Sequence, residues 1–349
     1  MLRLVERHLP GLRGLTAITE TDSRPGRQRV FLVSLAEDAD VLPRFRAAFA
    51  GAFNRADAGV YDLDFAHETP AGPGIVGIAI APPVTLTAAH LAALPDLRIA
   101  AVASAGYDHV DAAALAARGI PMTHTPGYCD VEVADHAIAM ACALLRNLQA
   151  GDAHVRAGGW SSRAVRARRI TGATLGIVGL GRTGALVARR AAGLGMRVIA
   201  WAPRTTADKA RALGAEPVAT LADLLAASDV VTLHVPLTPD TKHLIDADAL
   251  ALMRPGAALV NCGRGGLVDD TALRAALDSG HLSGAALDVL DTEPPPPDHP
   301  ALGLPRTIIT PHLAWLSPES EFASYEMAAA SIAVLLAGGV PDHLVARKT

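Results

Sequence analysis

The sequence predicts an α/β protein made of two doubly wound parallel-sheet domains with a cleft between them. Three observations carry this. Apolar strand-like runs alternate with Ala/Leu-rich helical patterns almost throughout the chain. The runs are continuously apolar rather than alternating, as in strands covered by helices on both faces. A long helical pattern at Val131–Leu148 separates one βα set from a second. The length of 349 residues also suits two domains better than one.

Residues 1–28 are read as a tail, because they carry charges, Pro25 and Gly26 but no apolar secretory core. The first set has strands at Val30–Val33, Ile75–Ile80 and Ile99–Ala103, and Asp111 caps a helix. The second set has strands at Leu175–Val178, Val198–Trp201, Val230–Leu233, Ala258–Val260, Ala285–Val289 and Ile308–Ile309. Asp246 and Asp269 open helices in this set. A last helix, Glu319–Ala337, has the stripe Phe322, Tyr325, Ala329, Ile332, Leu336 at three-and-four spacing. That face needs a surface to cover, and the helix is expected to fold back on the first domain. The expected domains are therefore 29–128 plus 317–349, and 129–316. Pro294–Pro297 reads as a stiff surface loop.

Composition excludes several classes of function. The formal net charge of −4 argues against a nucleic-acid or acidic-membrane surface. No apolar run is long enough to span a membrane. Cys129, Cys142 and Cys262 are odd in number and form no C-x-x-C pair. A disulfide framework, a cysteine-rich zinc site or any other metal centre is not expected, and a reducing, cytoplasmic compartment fits.

Gly179-Leu180-Gly181-Arg182-Thr183-Gly184 follows a strand and opens a helix, Ala185–Gly193. In that context G-x-G-x-x-G is a dinucleotide signature. Gly179 permits the tight turn, Gly181 admits a pyrophosphate, and Gly184 lets helix and strand pack closely. The helix N-terminus then offers N–H groups to phosphate. The carboxylate that would bind a ribose 2′-hydroxyl is missing: the next strand ends at Ala202, and Pro203 and Arg204 follow. Arg204 suits a 2′-phosphate, which favours NADP; the alternative is NAD with Arg204 solvated.

Four segments follow strands of the second set, at the edge where open sheets bind ligands. They begin at His234, Asn261, Asp288 and Thr310. Together they carry an arginine, a glutamate and a histidine. Arg264 can clamp a carboxylate with its planar fork. His312 can protonate a carbonyl oxygen as hydride arrives at carbon. Glu293 can orient the imidazole and favour its charged form.

On these motifs the chain resembles the D-isomer-specific 2-hydroxyacid dehydrogenases, a family that includes glyoxylate/hydroxypyruvate reductases. The resemblance covers roughly Ile75 to Trp315. It rests on Leu175–Gly184, Asn261–Asp269, Asp288–Pro294, Thr310–Trp315 and the first-domain segments Ser104–Asp111, Thr125–Tyr128 and Val133–His136. It implies two Rossmann-like domains, a small 2-keto or D-2-hydroxy acid substrate and a homodimer. It implies Arg264, Glu293 and His312 as the catalytic trio, with Glu293 rather than Asp291 as the partner of His312. Arg182 and Thr183 would offer N–H groups to the pyrophosphate, and Val235, Pro236 and Thr241 would line the adenosine side. Cys262 and Gly263 would lie by the nicotinamide ribose, and Asp288 by the nicotinamide amide. Ala105 and Gly106 would bind substrate together with Arg264, His312 and Trp315.

The chain departs from the family's pattern at Ala202, which puts NAD preference in doubt, and at Ala314-Trp315, where the pocket wall differs. Arg163, Arg166, Arg168 and Arg169 form a denser basic stretch than the family suggests, read as a solvated loop. The alternative function is a dinucleotide-sensing, corepressor-like module, which Tyr128-Cys129 and Asp135-His136 bring to mind. Formate oxidation moves no proton and would want an amide where Glu293 stands.

Overall fold

The computed structural model describes residues 27–34, 41–51, 61–202 and 207–345. They fall into two compact units. One runs to Tyr128 and resumes at Pro318; the other is Cys129–Ser317.

The first unit contains β1 (Gln28–Val33), β2 (Tyr61–Ala66), β3 (Ile75–Ile80), β4 (Ile99–Val102) and β5 (Met122–Thr123). All pair in parallel, in the order β2-β1-β3-β4-β5. β3 and β4 are buried at every position, which is why they read as unbroken apolar runs. β2 escapes the sequence reading because Asp62 and Asp64 interrupt it; it is a half-buried edge strand. Gln28, assigned to the tail, instead opens β1 opposite Tyr61. The rest of that expected tail, residues 1–26, lies outside the described residues.

The helix Pro318–Leu336 buries Tyr325, Ala329, Ile332 and Leu336 in one core with Phe45, Phe49, Val30 and Leu32. Phe322 of the expected stripe is only partly buried, with the Arg44 guanidinium 4.0 Å from its ring centre. Gly77 of β3 lets this helix seat closely, since a Cβ there would stand 2.8 Å from Ile332 Cγ2.

The second unit contains β6 (Thr174–Val178), β7 (Arg197–Trp201), β8 (Glu216–Pro217), β9 (Val230–Leu233), β10 (Ala257–Asn261), β11 (Leu282–Leu287) and β12 (Thr307–Ile309). All are parallel, in the order β12-β11-β10-β9-β6-β7-β8. The chain builds outward from β6 to β8, then crosses back to β9 on the other side. That reversal is a topological switch point, beyond whose strand ends ligands bind.

Three expected elements of this unit shift by two residues or more at one or both ends. The strand expected at Ala285–Val289 is Leu282–Leu287, because Asp288 leaves the ladder to bind the loop after β12. The helix expected at Val131–Leu148 is Asp130–Arg146. Asn147 takes a left-handed φ of 51°, tolerated by asparagine, and a separate helix Leu148–Arg156 begins. The helix expected from Ala185 starts at Arg182. Asp111, Asp246 and Asp269 each cap a helix, accepting from Ala114, Ala249 and Ala272 N–H. Among the described residues no helix is long and apolar enough to cross a membrane.

Asp229, just before β9, anchors the opposite edge of this sheet. Its carboxylate accepts from Thr174 N (2.8 Å), Arg168 Nη2 (2.7 Å) and Arg254 Nη1 (3.0 Å). Arg168 of the basic stretch is thus an ion-pair partner, while Arg163, Arg166 and Arg169 are exposed. Burial opposes the Asp229 charge, but the Thr174 N–H and the two arginines outweigh it and hold the carboxyl below its usual range. Asp229→Asn should therefore cost about 1.5–3 kcal/mol at neutral pH. A depressed carboxyl stabilises the fold above its unfolded-state pKa and loses that contribution as pH falls through the folded value. The Tm gap between wild type and variant should accordingly close in acid, as thermal unfolding at several pH values would show.

Candidate active site

The glycine turn sits at the switch point. Gly179, at φ 99°, lies against the carbonyl of His234 at the end of β9, where a Cβ would clash with backbone. A Cβ at Gly184 would overlap the Gly179 carbonyl, so turn and helix need glycine at both positions. Gly181 is the N-cap of the helix Arg182–Gly193. It has no side chain to satisfy the first-turn N–H groups, and a Cβ there would face open space. Open space before bare N–H groups is what a pyrophosphate needs, so these residues fit a dinucleotide. The side chains of Arg182 and Thr183 turn elsewhere, to Asp130 Oδ2 (2.6 Å) and Oδ1 (3.3 Å). Only their backbone faces that role.

The second cluster gathers at the carboxyl ends of β10, β11 and β12. His312 Nδ1 lies 2.6 Å from Glu293 Oε2. Glu293 Oε1 accepts from Leu290 N (2.8 Å), so the carboxylate is fixed from both sides. Burial opposes the Glu293 charge. The His312 hydrogen bond and charge, the Leu290 N–H and nearby Arg264 outweigh it and hold the carboxyl below its ordinary value. A carboxylate can only accept, so His312 Nδ1 carries the proton and Nε2 is the nitrogen left for chemistry.

Asp288 builds the histidine loop. It is 1% exposed and accepts from Thr310 Oγ1 (2.6 Å), Leu313 N (2.9 Å) and Ala314 N (2.9 Å). Its carbonyl accepts from His312 N (2.8 Å), which helps hold His312 at a left-handed φ of 51°. Asn261, the buried last residue of β10, does the same for the arginine loop. Its side chain donates to Arg264 O (2.9 Å) and accepts from Gly263 N (3.0 Å). Gly265 then presses against the Leu290–Asp291 peptide, where any Cβ would overlap backbone. This contact joins the loop of Arg264 to the loop of Glu293.

The remaining expected residues scatter around these two centres. Val235 packs beside Gly179, and Thr241 Oγ1 donates to Pro236 O (2.7 Å) and accepts from Thr238 N (2.7 Å), bracing that loop. Cys262 points into the core, its thiol 3.8 Å from Met140 Sδ, and burial pushes its pKa up; only its backbone is free to meet a ligand. Ala202, the first residue after β7, brings no carboxylate and packs on the core. Arg204 lies outside the described residues. Trp315 is half-buried on the histidine loop. Ala105 and Gly106 belong to the first unit, on the loop after β4, where Ser104 Oγ donates to Gly106 O (2.6 Å) and His124 Nδ1 to Ala105 O (2.9 Å).

Sequence reasoning passed over Asn261, Thr310 and His136 as individual site residues. His136 Nε2 lies 3.2 Å from Thr310 Oγ1 and 3.7 Å from Asp288 Oδ1. The available signal was a polar residue closing an apolar strand, as Asn261 closes β10.

Residues 138–314 match the family model of the D-isomer specific 2-hydroxyacid dehydrogenase, NAD binding domain. A glyoxylate reductase of Korarchaeum cryptofilum is 42% identical over 257 residues, which is 72% of this chain and 77% of that protein. A D-3-phosphoglycerate dehydrogenase of Mycobacterium tuberculosis is 42% identical over 259 residues, 74% of this chain and 49% of that protein. The chain thus spans about half the length of such phosphoglycerate dehydrogenases. The solved structure of D-lactate dehydrogenase from Aquifex aeolicus, complexed with NAD and lactic acid, is 28% identical with a TM-score of 0.78, covering 92% of this chain and 100% of that one. With a family model matching half the chain and a relative matched over three quarters of its own length, the chain belongs to the D-isomer specific 2-hydroxyacid dehydrogenases.

Proposed function

We propose that this protein interconverts a small 2-keto acid and its D-2-hydroxy acid, with a nicotinamide cofactor at the Gly179–Gly184 turn. The observation that carries the reading is the His312–Glu293 hydrogen bond, 2.6 Å long, beside Arg264 on the ligand-binding edge of the nucleotide-type sheet. When bound, the reduced nicotinamide supplies a hydride to the keto carbon. As the carbonyl π pair moves onto oxygen, His312 Nε2–H delivers the proton that makes the hydroxyl. Glu293 stabilises the imidazolium beforehand and keeps Nε2 aimed. Arg264 binds the substrate carboxylate and polarises the carbonyl. Asp288 and Asn261 hold the two loops that carry these groups.

The substrate type favoured is glyoxylate or hydroxypyruvate. Ala105, Pro82 and Pro83 bring no cation for a phosphate, which disfavours 3-phosphoglycerate. Ala105, Gly106 and Trp315 contact the substrate in this reading, which their loop sequences support. A panel of keto acids assayed with each reduced cofactor tests substrate and cofactor together. Ala202 removes the acid that would repel a 2′-phosphate, so the rate with NADPH should equal or exceed that with NADH. A strong NADH preference would defeat the argument from Ala202 and Arg204.

The partner proposed is a second copy of the chain. The helix Leu148–Arg156 buries none of its residues, and Leu148, Val155 and Trp160 are 60%, 48% and 89% exposed. Apolar side chains gathered on one short segment mark an interface. Sedimentation should show a dimer, and Trp160→Glu should shift it toward monomer.

A further inference from the structure

Asp291, passed over as the partner of His312, has a buried partner of its own. His299 is 7% exposed, and its Nε2 lies 2.7 Å from Asp291 Oδ1. Its Nδ1 accepts from Ala301 N (3.1 Å), capping the short 3₁₀ turn Pro300–Gly303. An imidazole nitrogen that accepts from a backbone N–H carries no proton, so the proton is on Nε2 and is donated to Asp291. Asp270 lies close by, and the three residues could each offer one ligand atom within 4.8 Å of the others. The tautomer argues against a metal there, because a metal would need Nε2 bare and would cost the cap its acceptor.

The same bond has another consequence. Asp291 shares a peptide with Leu290, and that peptide is wedged against Gly265, next to Arg264. The Leu290 N–H on the near side donates to Glu293 Oε1, whose other oxygen holds His312. A continuous line of contacts therefore runs from His299 through Asp291 and the Leu290 amide to Glu293 and His312. We propose that His299 is a positioning residue for the reaction: by donating to Asp291 it fixes the loop that aims Glu293 at His312. This rests on the dehydrogenase reading above. The low pKa of Glu293, to which the Leu290 N–H contributes, is in keeping with it.

The two functions of His299 can be separated in the full-length protein. His299→Asn keeps an acceptor near Ala301 but is too short to bring its amide donor to Asp291. His299→Gln keeps a donor for Asp291 and loses the cap. Asp291→Ala removes the link from an exposed residue, so folding is not at stake. With glyoxylate and reduced cofactor, Asp291→Ala and His299→Asn should lose about tenfold in kcat, the scale of a sub-ångström misplacement, with KM little changed. Their pH profiles should fail at higher pH on the acid side, because Glu293 loses support for its charge. His299→Gln should keep the wild-type profile even if its Tm falls. Identical profiles in all four proteins, or an equal loss in the Gln and Asn variants, would overturn the proposal and leave His299 as a cap alone. Hydrogen exchange at the Leu290 amide separates this from the dehydrogenase reading. If no keto acid is turned over, the dehydrogenase reading falls. Faster exchange in Asp291→Ala and His299→Asn than in wild type and His299→Gln would still support the positioning role, and uniform exchange would refute it.

Discussion

His312→Gln should lower turnover by about 10²–10⁴-fold, the usual worth of a positioned acid–base, while reduced-cofactor binding stays at the wild-type level. The separation follows from the fold. The proposed cradle for the cofactor is the turn after β6 and the N-terminus of the helix Arg182–Gly193. His312 sits four strands away in the sheet order, on the loop after β12 beyond β9, β10 and β11. Glutamine can still accept or donate a hydrogen bond, but it cannot release a proton to a developing alkoxide at neutral pH. Glu293→Gln should give a smaller loss with a different pH signature. The native carboxyl is held low, so the wild-type dyad survives well into acid and fails only as Glu293 protonates. The amide has no such titration, and its acid limb should disappear. Fluorescence titration of the cofactor beside steady-state rates separates binding from chemistry in both variants.

Gly265→Val should cost about 1–3 kcal/mol through overpacking, and on the order of 10²-fold in kcat/KM by displacing catalytic groups. A Cβ at this position overlaps the Leu290 carbonyl carbon and the Asp291 nitrogen. These are backbone atoms, which cannot rotate aside as a side chain can. Either the Asn261–Gly266 loop or the Leu290–Glu293 loop must move, and each carries a member of the proposed catalytic trio. The contrast is Gly181→Ala, where the added Cβ meets open space. Its effect should fall on cofactor binding, with Tm unchanged. Thermal unfolding and cofactor titration on the two variants would show opposite patterns.

What could be read from the sequence, and what could not, follows from the range of the interactions. Strands such as β3, β4, β9 and β10 are buried at every position because helices cover both faces, and the largely apolar runs this requires show in a single line of residues. The caps at Asp111, Asp246 and Asp269 are equally local, each bond reaching three residues ahead. The glycine turn is legible for the same reason. β2 was hidden because Asp62 and Asp64 sit in an edge strand that tolerates them. The positions of Arg264, Glu293 and His312 at strand exits were readable, but the bonds that aim them were not. Asp288 reaches 22 residues to Thr310, and His136 reaches 174 residues to the same hydroxyl. Such pairs exist only once β11, β12 and the helix Asp130–Arg146 have come together. Asp291 looked like a rival of Glu293 in sequence, and only the buried position of His299 shows what holds it.

The most direct test of the dehydrogenase account is the fate of the hydride. Hydroxypyruvate is reduced with cofactor deuterated at nicotinamide C4, and the product is analysed for label position and chirality. Deuterium is expected on C2 of the D-hydroxy acid, with label transfer collapsing in His312→Gln. An L product, an unlabelled product, or no reduction of any keto acid by protein that binds the cofactor would contradict it.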